Sequence, residues 1–299
     1  MREVQYQLSI WQLMFLPGGV DGVLDGPYTG SITAVVEEAS CVHRCFLWHV
    51  RERMNLCKFT VQFHRLMSGT VYMIPVTLGD SEPGLSIPRG TLEITMSLRL
   101  FAVEDIRTAR RWLRLADRDF PIDSTRFFPV GKHSDPAGLD EFFAMVAGGS
   151  DAGVMSEAGM PGLADPGNIV ASEAHRRGIR VTPLSGPSSV MLALVASGLN
   201  GQSFAFSGYL PVDSPGRRKA IKELERLSAG GQTQIFMETP FRNGKMIEDI
   251  LSVCQASTRL CIAADITLPS EFIRTMTVAD WRRQVPLLDR RPAVFLILS

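Results

Sequence analysis

Acids, serines and glycines collect in three short stretches, each of which follows a predicted strand and precedes a predicted helix. SEAGMPGLADPG runs from Ser156 to Gly167 and holds three glycines, two prolines and two acids. LSGPSS covers residues 184–189, and METPFRN covers residues 237–243. Strand, glycine-rich loop and helix is the arrangement that binds ligands at the carboxyl edge of a parallel sheet. The three loops therefore predict a binding cleft between two α/β domains.

The composition of the first loop limits what it can bind. Gly159, Gly162 and Gly167 can take positive φ and let a ligand approach the backbone closely. The loop matches neither GxxxxGK[ST] nor GxGxxG, which excludes a P-loop and a dinucleotide fingerprint. Its two carboxylates suit hydroxyl or cationic groups better than a pyrophosphate. A turn-rich connection whose acids are a helix cap and a surface charge explains the same residues, and both interpretations stay open.

Helix capping is a second use for several of these side chains. Asp165 is expected to cap the helix that follows Pro166. Ser188 and Ser189 can cap the helix after the second loop, or they can offer hydroxyl and N–H groups to a ligand.

From Met67 onward the chain alternates between strand and helix patterns. This alternation predicts a parallel-rich sheet covered by helices. Strands are predicted at 69–76, 98–105, 124–130, 152–157, 179–186, 203–211, 233–240, 259–267 and 292–299, and helices at 106–117, 135–149, 169–178, 187–198, 215–231 and 243–256. The turn-rich SGLNGQ divides the predicted N-terminal α/β domain, 67–199, from a C-terminal α/β domain, 200–299.

Residues 1–66 have weak periodicity and are expected to be an N-terminal extension, for which a start codon placed too far upstream is one explanation. They contain Cys41, His43, Cys45, His49 and Cys57. The spacing of these side chains fits no paired zinc knuckle, so no metal site is predicted.

Composition excludes several classes of protein. Lysine plus arginine and aspartate plus glutamate each number 31, whereas a large nonspecific nucleic-acid binder would be more basic. No apolar run reaches the length of a membrane span, and the opening residues make a poor signal peptide. Five cysteines, an odd number, favour reduced thiols. The sequence therefore predicts a cytoplasmic protein with no membrane partner.

Seven stretches, taken in order, resemble a known family. They are GTVYMIPVTLGD, VEDIRTARRWL, SEAGMPGLADPG, PLSGPSS, ALVASGLNGQSFAFSGYLP, GRRKAIKEL and METPFRN. Together they resemble the tetrapyrrole methylase superfamily of S-adenosylmethionine-dependent methyltransferases, and within it the family that 2′-O-methylates a cytidine of small-subunit ribosomal RNA. The resemblance covers about residues 68–299. It implies the tetrapyrrole methylase fold of two α/β domains, with the methyl donor in the cleft between them, and usually a homodimer.

The resemblance also implies which residues contact S-adenosylmethionine. These residues are Pro75, Glu157, Ala158, Gly159, Ser188, Ser189, Met237, Thr239 and Pro240. Because the sulfonium donor is already activated, positioning can supply much of the catalysis. No metal is expected in the reaction.

A ribose acceptor would need a group that helps to remove its proton. The candidates are Glu104 and Asp105, which end a predicted strand, together with Lys132 and His133 in GKHSDP. A lone histidine such as His133 is also often structural or simply exposed.

Two basic stripes follow helical spacing. Arg107, Arg110 or Arg111, Arg114 and Arg118 form the first, and Arg218, Lys222 and Arg226 form the second. Such stripes are usually solvated faces with partner acids, here Glu223 and Glu225, but they can also follow RNA phosphates. The first stripe begins at the expected cleft edge, which favours it as the RNA-binding face. Few aromatic residues interleave with these arginines, so base stacking is not evident.

Some residues depart from the pattern of the rRNA family. The first loop reads PVTLGD where the family usually has PIGNLGD, and the acidic loop begins Ser156-Glu157 instead of Ser-Asp. The helical C-terminal extension that this family usually carries is expected to be absent, and RPAVFLILS at residues 291–299 resembles a shorter subgroup. The acceptor therefore stays open between a ribose of small-subunit rRNA and a tetrapyrrole or other small molecule. A module that binds the donor or RNA without turnover is the non-enzymatic alternative.

Overall fold

A computed structural model describes residues 68–131, 136–288 and 290–299. The chain divides into two units between Gln62 and Phe63, and every described element belongs to the second unit. The cysteine and histidine residues between positions 41 and 57, together with Lys132 and His133, lie outside the described residues.

The first sheet is fully parallel. Its strands are β1 (Thr70–Met73), β2 (Leu100–Val103), β3 (Arg126–Pro129), β4 (Ala152–Met155) and β5 (Arg180–Pro183). They lie in the order β3-β2-β4-β1-β5. The helices that accompany them are α1 (Arg89–Ser97), α2 (Ile106–Ala116), α3 (Pro136–Ala147) and α4 (Gly167–Arg176). This sheet confirms the prediction of a parallel sheet covered by helices.

Both faces of the first sheet are buried, as expected when helices cover a parallel sheet on two sides. Val71 and Met73 of β1 pack with Phe142 of α3 in one cluster. Ile74 and Phe101 belong to a second cluster, which lies on the other face of the sheet. At Gly153 of β4, an added Cβ would lie 2.4 Å from Cδ1 of Ile74. Only glycine fits between these core side chains without displacing one of them.

The second sheet is mixed. Its strands are β6 (Phe204–Tyr209), β7 (Thr233–Glu238), β8 (Arg259–Ala264), β9 (Phe272–Thr277) and β10 (Ala293–Leu298). The order is β6-β7-β10-β8-β9, in which only the β6–β7 pair is parallel. Its helices are α6 (Ser214–Ser228), α7 (Asn243–Val253) and the short α8 (Val278–Trp281). Phe236 and Phe295 stack in its main core, with ring centroids 5.8 Å apart.

One further helix, α5 (Ser189–Ser197), joins the two sheets. In sequence it follows β5 of the first sheet. Its side chains Val190, Ala193 and Leu194 nevertheless pack with Ile235 and Leu296 of the second sheet. The helix is largely apolar because it lies against this sheet. The predicted domain boundary at 199/200 stays a prediction.

Candidate active site

Four loops follow the carboxyl ends of neighbouring strands of the first sheet, and three of them contact one another. Pro75 follows β1 and packs on Gly186, where an added Cβ would lie 2.2 Å from Cγ of Pro75. The Val76 N–H donates to the Gly159 carbonyl at 2.9 Å. Gly159 has a φ of +72°, and a Cβ there would lie 3.0 Å from Leu78. The loops after β1, β4 and β5 therefore meet through glycines that leave no room for side chains.

The loop after β2 joins this edge through an acid. Glu104 accepts a hydrogen bond from the Glu157 N–H at 3.2 Å. Burial raises the pKa of Glu104 above its usual value, and the negative charges of Glu157, Asp165 and Asp105 raise it further, while the Glu157 N–H opposes them. The raised pKa makes this carboxylate a stronger base than a glutamate whose pKa has the ordinary value.

Asp105 behaves differently from its neighbour. It is the N-cap of α2 and accepts the Thr108 N–H at 2.7 Å. Hydrogen bonds from Thr108, backbone and side chain, lower the pKa of Asp105. The geometry therefore gives it a capping role, and Glu104 is the acid of this pair that suits proton transfer.

Asp165 and Ser188 hold loop backbone in place. One oxygen of Asp165, Oδ1, accepts the N–H groups of Gly162 and Gly167 at 2.8 and 2.7 Å. Its other oxygen is buried without a hydrogen-bond partner among the described residues. Ser188 is the N-cap of α5 and accepts the Met191 N–H at 3.4 Å, and Ser189 is the first residue of that helix. Ser188 thus has the capping role that the sequence offered for it, whereas Pro166 is the N-cap residue of α4 and Asp165, one residue earlier, binds the N–H of the first residue of that helix.

The second sheet reaches the same region through the end of β7. Met237 and Leu78 pack against one cluster that includes Val190 of α5. An added Cβ at Gly79 would lie 2.9 Å from Leu268, which follows β8. Thr239 and Pro240 come directly after β7 and are half-buried. The structure thus brings the third predicted loop toward the loops of the first sheet.

Three residues of the second half were missed by sequence reasoning. The Glu238 side chain is fully buried and forms an ion pair with Arg242 at 2.5 Å. Burial opposes ionisation of Glu238, but Arg242 and the Thr239 N–H outweigh it and lower the pKa of this carboxyl. Burial raises the pKa of Tyr209, and the charges of Glu104 and Glu238 raise it further. Tyr209 pairs with Met237 of β7, next to Glu238 in sequence. A glutamate at the end of the apolar run IFM, with an arginine four residues later, was the available signal.

The first basic stripe lies on an exposed face of α2 and just beyond it. Arg110 lies over the ring of Phe127, 5.3 Å from its centroid, and Arg111 is 3.7 Å from Asp80. The Arg114 guanidinium donates to the Arg118 carbonyl. These arginines are exposed, and they run from Arg107, next to the N-cap Asp105, along α2 to Arg114 in its last turn and Arg118 beyond its C-terminal end.

The second stripe pairs with acids of the protein itself. Arg218 contacts Asp249 at 2.5 Å, and Arg226 contacts Glu223 at 2.5 Å. The expected acid Glu225 is not a partner in these ion pairs, because it is buried and accepts hydrogen bonds from Gln255 and Thr258. This stripe has less charge to offer a ligand than the first.

The residues that the structure describes include no group of three or more histidine, cysteine, aspartate or glutamate side chains placed to hold a metal ion. Cys254 and Cys261 are free and buried, and burial raises the pKa of the Cys254 thiol to about 12. Over the same part of the chain, no helix combines the length and apolar character that crossing a membrane requires.

Residues 107–281 match the family profile of the tetrapyrrole (corrin/porphyrin) methylases. The chain belongs to this family. It is accordingly an S-adenosylmethionine-dependent methyltransferase.

Relatives of this methylase chain carry a common name, ribosomal RNA small subunit methyltransferase I. The protein from Escherichia coli O157:H7 is 32% identical over 71% of this chain and 70% of its own length. The protein from Vibrio cholerae is 30% identical over 70% and 69%, and that from Pseudomonas aeruginosa is 28% identical over 72% and 74%.

Among solved structures, the methyltransferase CobJ superposes on this tetrapyrrole methylase with a TM-score of 0.53 and 16% identity. The match covers 78% of this chain and 95% of CobJ. It confirms the α/β fold.

Proposed function

We propose that this methyltransferase acts on a ribose 2′-hydroxyl of small-subunit ribosomal RNA. The observation that carries the proposal is the meeting of loops from neighbouring strands beside Glu104, a carboxyl group with a raised pKa. The three relatives named after small-subunit ribosomal RNA support the choice of acceptor.

In this proposal the donor lies across the loops of both sheets. Its contacts are Pro75, Glu157, Ala158, Gly159, Ser188, Ser189, Met237, Thr239 and Pro240. The tight backbone approaches at Gly159 and Gly186 suit a ligand recognised mainly by backbone groups. Glu157 and Ala158 are exposed, so the Glu157 carboxylate can bind hydroxyl or ammonium groups of the donor.

S-adenosylmethionine carries the transferable methyl group on a sulfonium sulfur. After transfer, the rest of the donor leaves as a neutral thioether. Glu104 is the general base of the proposal: its carboxylate accepts the hydroxyl proton as the ribose oxygen bonds to the methyl carbon. The bond between this carbon and sulfur breaks, and its electron pair stays on sulfur. His133 and Lys132 lie outside the described residues and remain alternative bases from the sequence.

The exposed arginines of the first stripe supply RNA contacts in the proposal. Arg107 follows the acids after β2 directly, and Arg110, Arg114 and Arg118 continue along the exposed side of α2 and beyond its C-terminal end, so they can bind successive phosphates of one RNA segment. The proposal also includes a cytoplasmic homodimer, two α/β domains at 67–199 and 200–299, and a reaction without metal.

The test is methyl transfer to a defined acceptor. Protein, donor with a labelled methyl group, and 30S subunits from a strain that lacks the corresponding methyltransferase are incubated, and the rRNA nucleosides are analysed by mass spectrometry. We expect one 2′-O-methylated nucleoside, formed equally well in EDTA, and its absence with Glu104→Gln. Unmodified rRNA with the wild-type protein would contradict the proposal and favour a small-molecule acceptor.

A further inference from the structure

An exposed aromatic ring lies next to the end of β7. Phe241 follows Pro240, and 80% of its surface is exposed. The guanidinium of Arg290 lies 6.0 Å from the centroid of its ring. An exposed phenylalanine costs free energy in water, and an aromatic face beside a cation is a common platform for a nucleobase.

The next residue, Arg242, is a cation whose position is fixed by a buried carboxylate. Arg242 donates to Oε1 of Glu238, which also accepts the Thr239 N–H at 2.6 Å. The side chain of Glu238 is fully buried, whereas 31% of the Arg242 side chain is exposed. Nε of Arg242 and Oε2 of Glu238 are buried and have no hydrogen-bond partner among the described residues. The guanidinium is therefore fixed in position but not fully satisfied by the protein.

Tyr209 lies beside the same segment, because it pairs with Met237 where β6 and β7 end. The residue is 54% exposed. Two exposed aromatic residues and a fixed guanidinium thus lie together at the carboxyl end of the β6–β7 pair. The first arginine stripe has no comparable exposed aromatic, because Phe127 is half-buried under Arg110.

We propose that Phe241, Arg242 and Tyr209 form a subsite for one nucleotide of the acceptor RNA, in which Phe241 stacks on the base and Arg242 binds the phosphate. The inference rests on the proposed function. A nucleotide suits this surface better than an apolar partner because it presents a flat ring and an anion at once. Tyr209, at the end of β6, is the second aromatic residue of the subsite.

The experiment uses the full-length protein with 30S subunits. Phe241→Ala removes the ring, Phe241→Trp keeps an aromatic face, and Arg242→Gln removes the charge. Val195→Ala is the matched control, since Val195 is 81% exposed on α5. For each variant, KM and kcat for 30S subunits, donor affinity by calorimetry and molar mass by light scattering are measured.

Loss of one stacked base should raise KM for 30S subunits by roughly 5- to 150-fold in Phe241→Ala. Phe241→Trp should stay near wild type, and Arg242→Gln should raise KM and lower the salt slope of RNA binding by about one. Donor affinity, molar mass and the kinetics of Val195→Ala should not change.

Three results would overturn the subsite. Unchanged KM in Phe241→Ala would show that the ring does not contact RNA. A parallel loss of donor affinity would place the ring against the donor, and a change in molar mass would make it a subunit contact. Failure of the wild-type protein to methylate any rRNA would instead remove the proposed function, and the subsite with it.

Discussion

Glu104 and Asp105 are adjacent acids whose pKa values shift in opposite directions. Asp105 caps α2, and hydrogen bonds from Thr108 lower its pKa. Desolvation and the charges of nearby carboxylates raise the pKa of Glu104. The sequence predicted that the pair lies at the end of a strand, but it could not separate their roles. That difference comes first from the burial of Glu104 by the fold and then from the charges of Glu157 and Asp165, which are distant in the chain.

The raised pKa of Glu104 makes a prediction about pH. A general base must be deprotonated, so activity should rise with pH through the pKa of Glu104, which lies above the usual 4.5. Glu104→Gln should lower kcat by about 10²- to 10⁴-fold and remove this limb of the profile. Stopped assays across a pH series check both effects. Asp105→Asn is the control, because it weakens a cap and should largely retain kcat. Full activity of Glu104→Gln would exclude the residue as the base.

Gly186 provides a test of the meeting loops. A methyl group at this position would lie 2.2 Å from Cγ of Pro75, so Gly186→Ala must push the loops after β1 and β5 apart. Gly159→Val should act similarly through its strained positive φ. We expect both to weaken donor binding by at least about tenfold, a loss of roughly 1.4 kcal/mol.

Isothermal calorimetry measures this loss of donor affinity. Gly90→Ala is the matched control, since a Cβ on Gly90 meets nothing within 4 Å and Gly90 lies within α1. Its donor affinity should equal that of the wild type. If Gly186→Ala also binds the donor normally, the donor does not lie on these loops.

At the scale of elements, α2 carries the first arginine stripe. Phosphate contacts depend on salt, so Arg110→Ala combined with Arg114→Ala should reduce the salt slope of RNA binding by roughly two. Donor affinity should not change, because the donor contacts proposed here lie on other loops. Binding of 30S subunits across a salt series measures the slope. A matched double variant, Lys222→Ala with Arg226→Ala on α6, should leave the slope near wild type. Equal slopes for both double variants would make the α2 stripe a solvated face.

The elements themselves were largely predictable from periodicity. Every strand except β9 falls within a predicted stretch, because apolar runs bounded by turn residues identify buried strands. Helix α1 was missed because its sequence, RGTLEITMS, has a glycine and β-branched residues. Tertiary contacts hold it: the Thr91 hydroxyl donates to the Ser185 carbonyl at 2.8 Å, and Thr95 is fully buried. Such contacts with a distant loop leave no local pattern.

At the scale of the whole molecule, the candidate site draws on both sheets. The loops of the first sheet were predicted because glycines and acids mark them in the sequence. Tyr209, Glu238 and Arg242 were not, since their importance arises only when the pairing of β6 with β7 brings Tyr209 beside the segment that carries the ion pair. Glycine-rich loops can be recognised from the local sequence, whereas the pairing of β6 with β7, which brings Tyr209 beside the Glu238–Arg242 segment, cannot.

The first 66 residues are expected to be dispensable for folding. The chain divides between Gln62 and Phe63, and all described elements follow this point. A protein that begins at Met67 should be soluble, melt within a few degrees of the full chain and bind the donor equally well. Circular dichroism and calorimetry check these expectations. Aggregation of the truncated protein, or a much lower Tm, would show that the segment supports the core.

The position of α5 decides how the molecule should respond to heat. This helix is tied by a short loop to β5, yet its apolar face covers Ile235 and Leu296 of the second sheet. Melting of either sheet alone would pull the helix away or leave apolar side chains in water. The two sheets should therefore lose their structure in one calorimetric peak, with agreement between the van't Hoff and calorimetric enthalpies. Two separate peaks would mean that α5 does not couple the unfolding of the first sheet to that of the second.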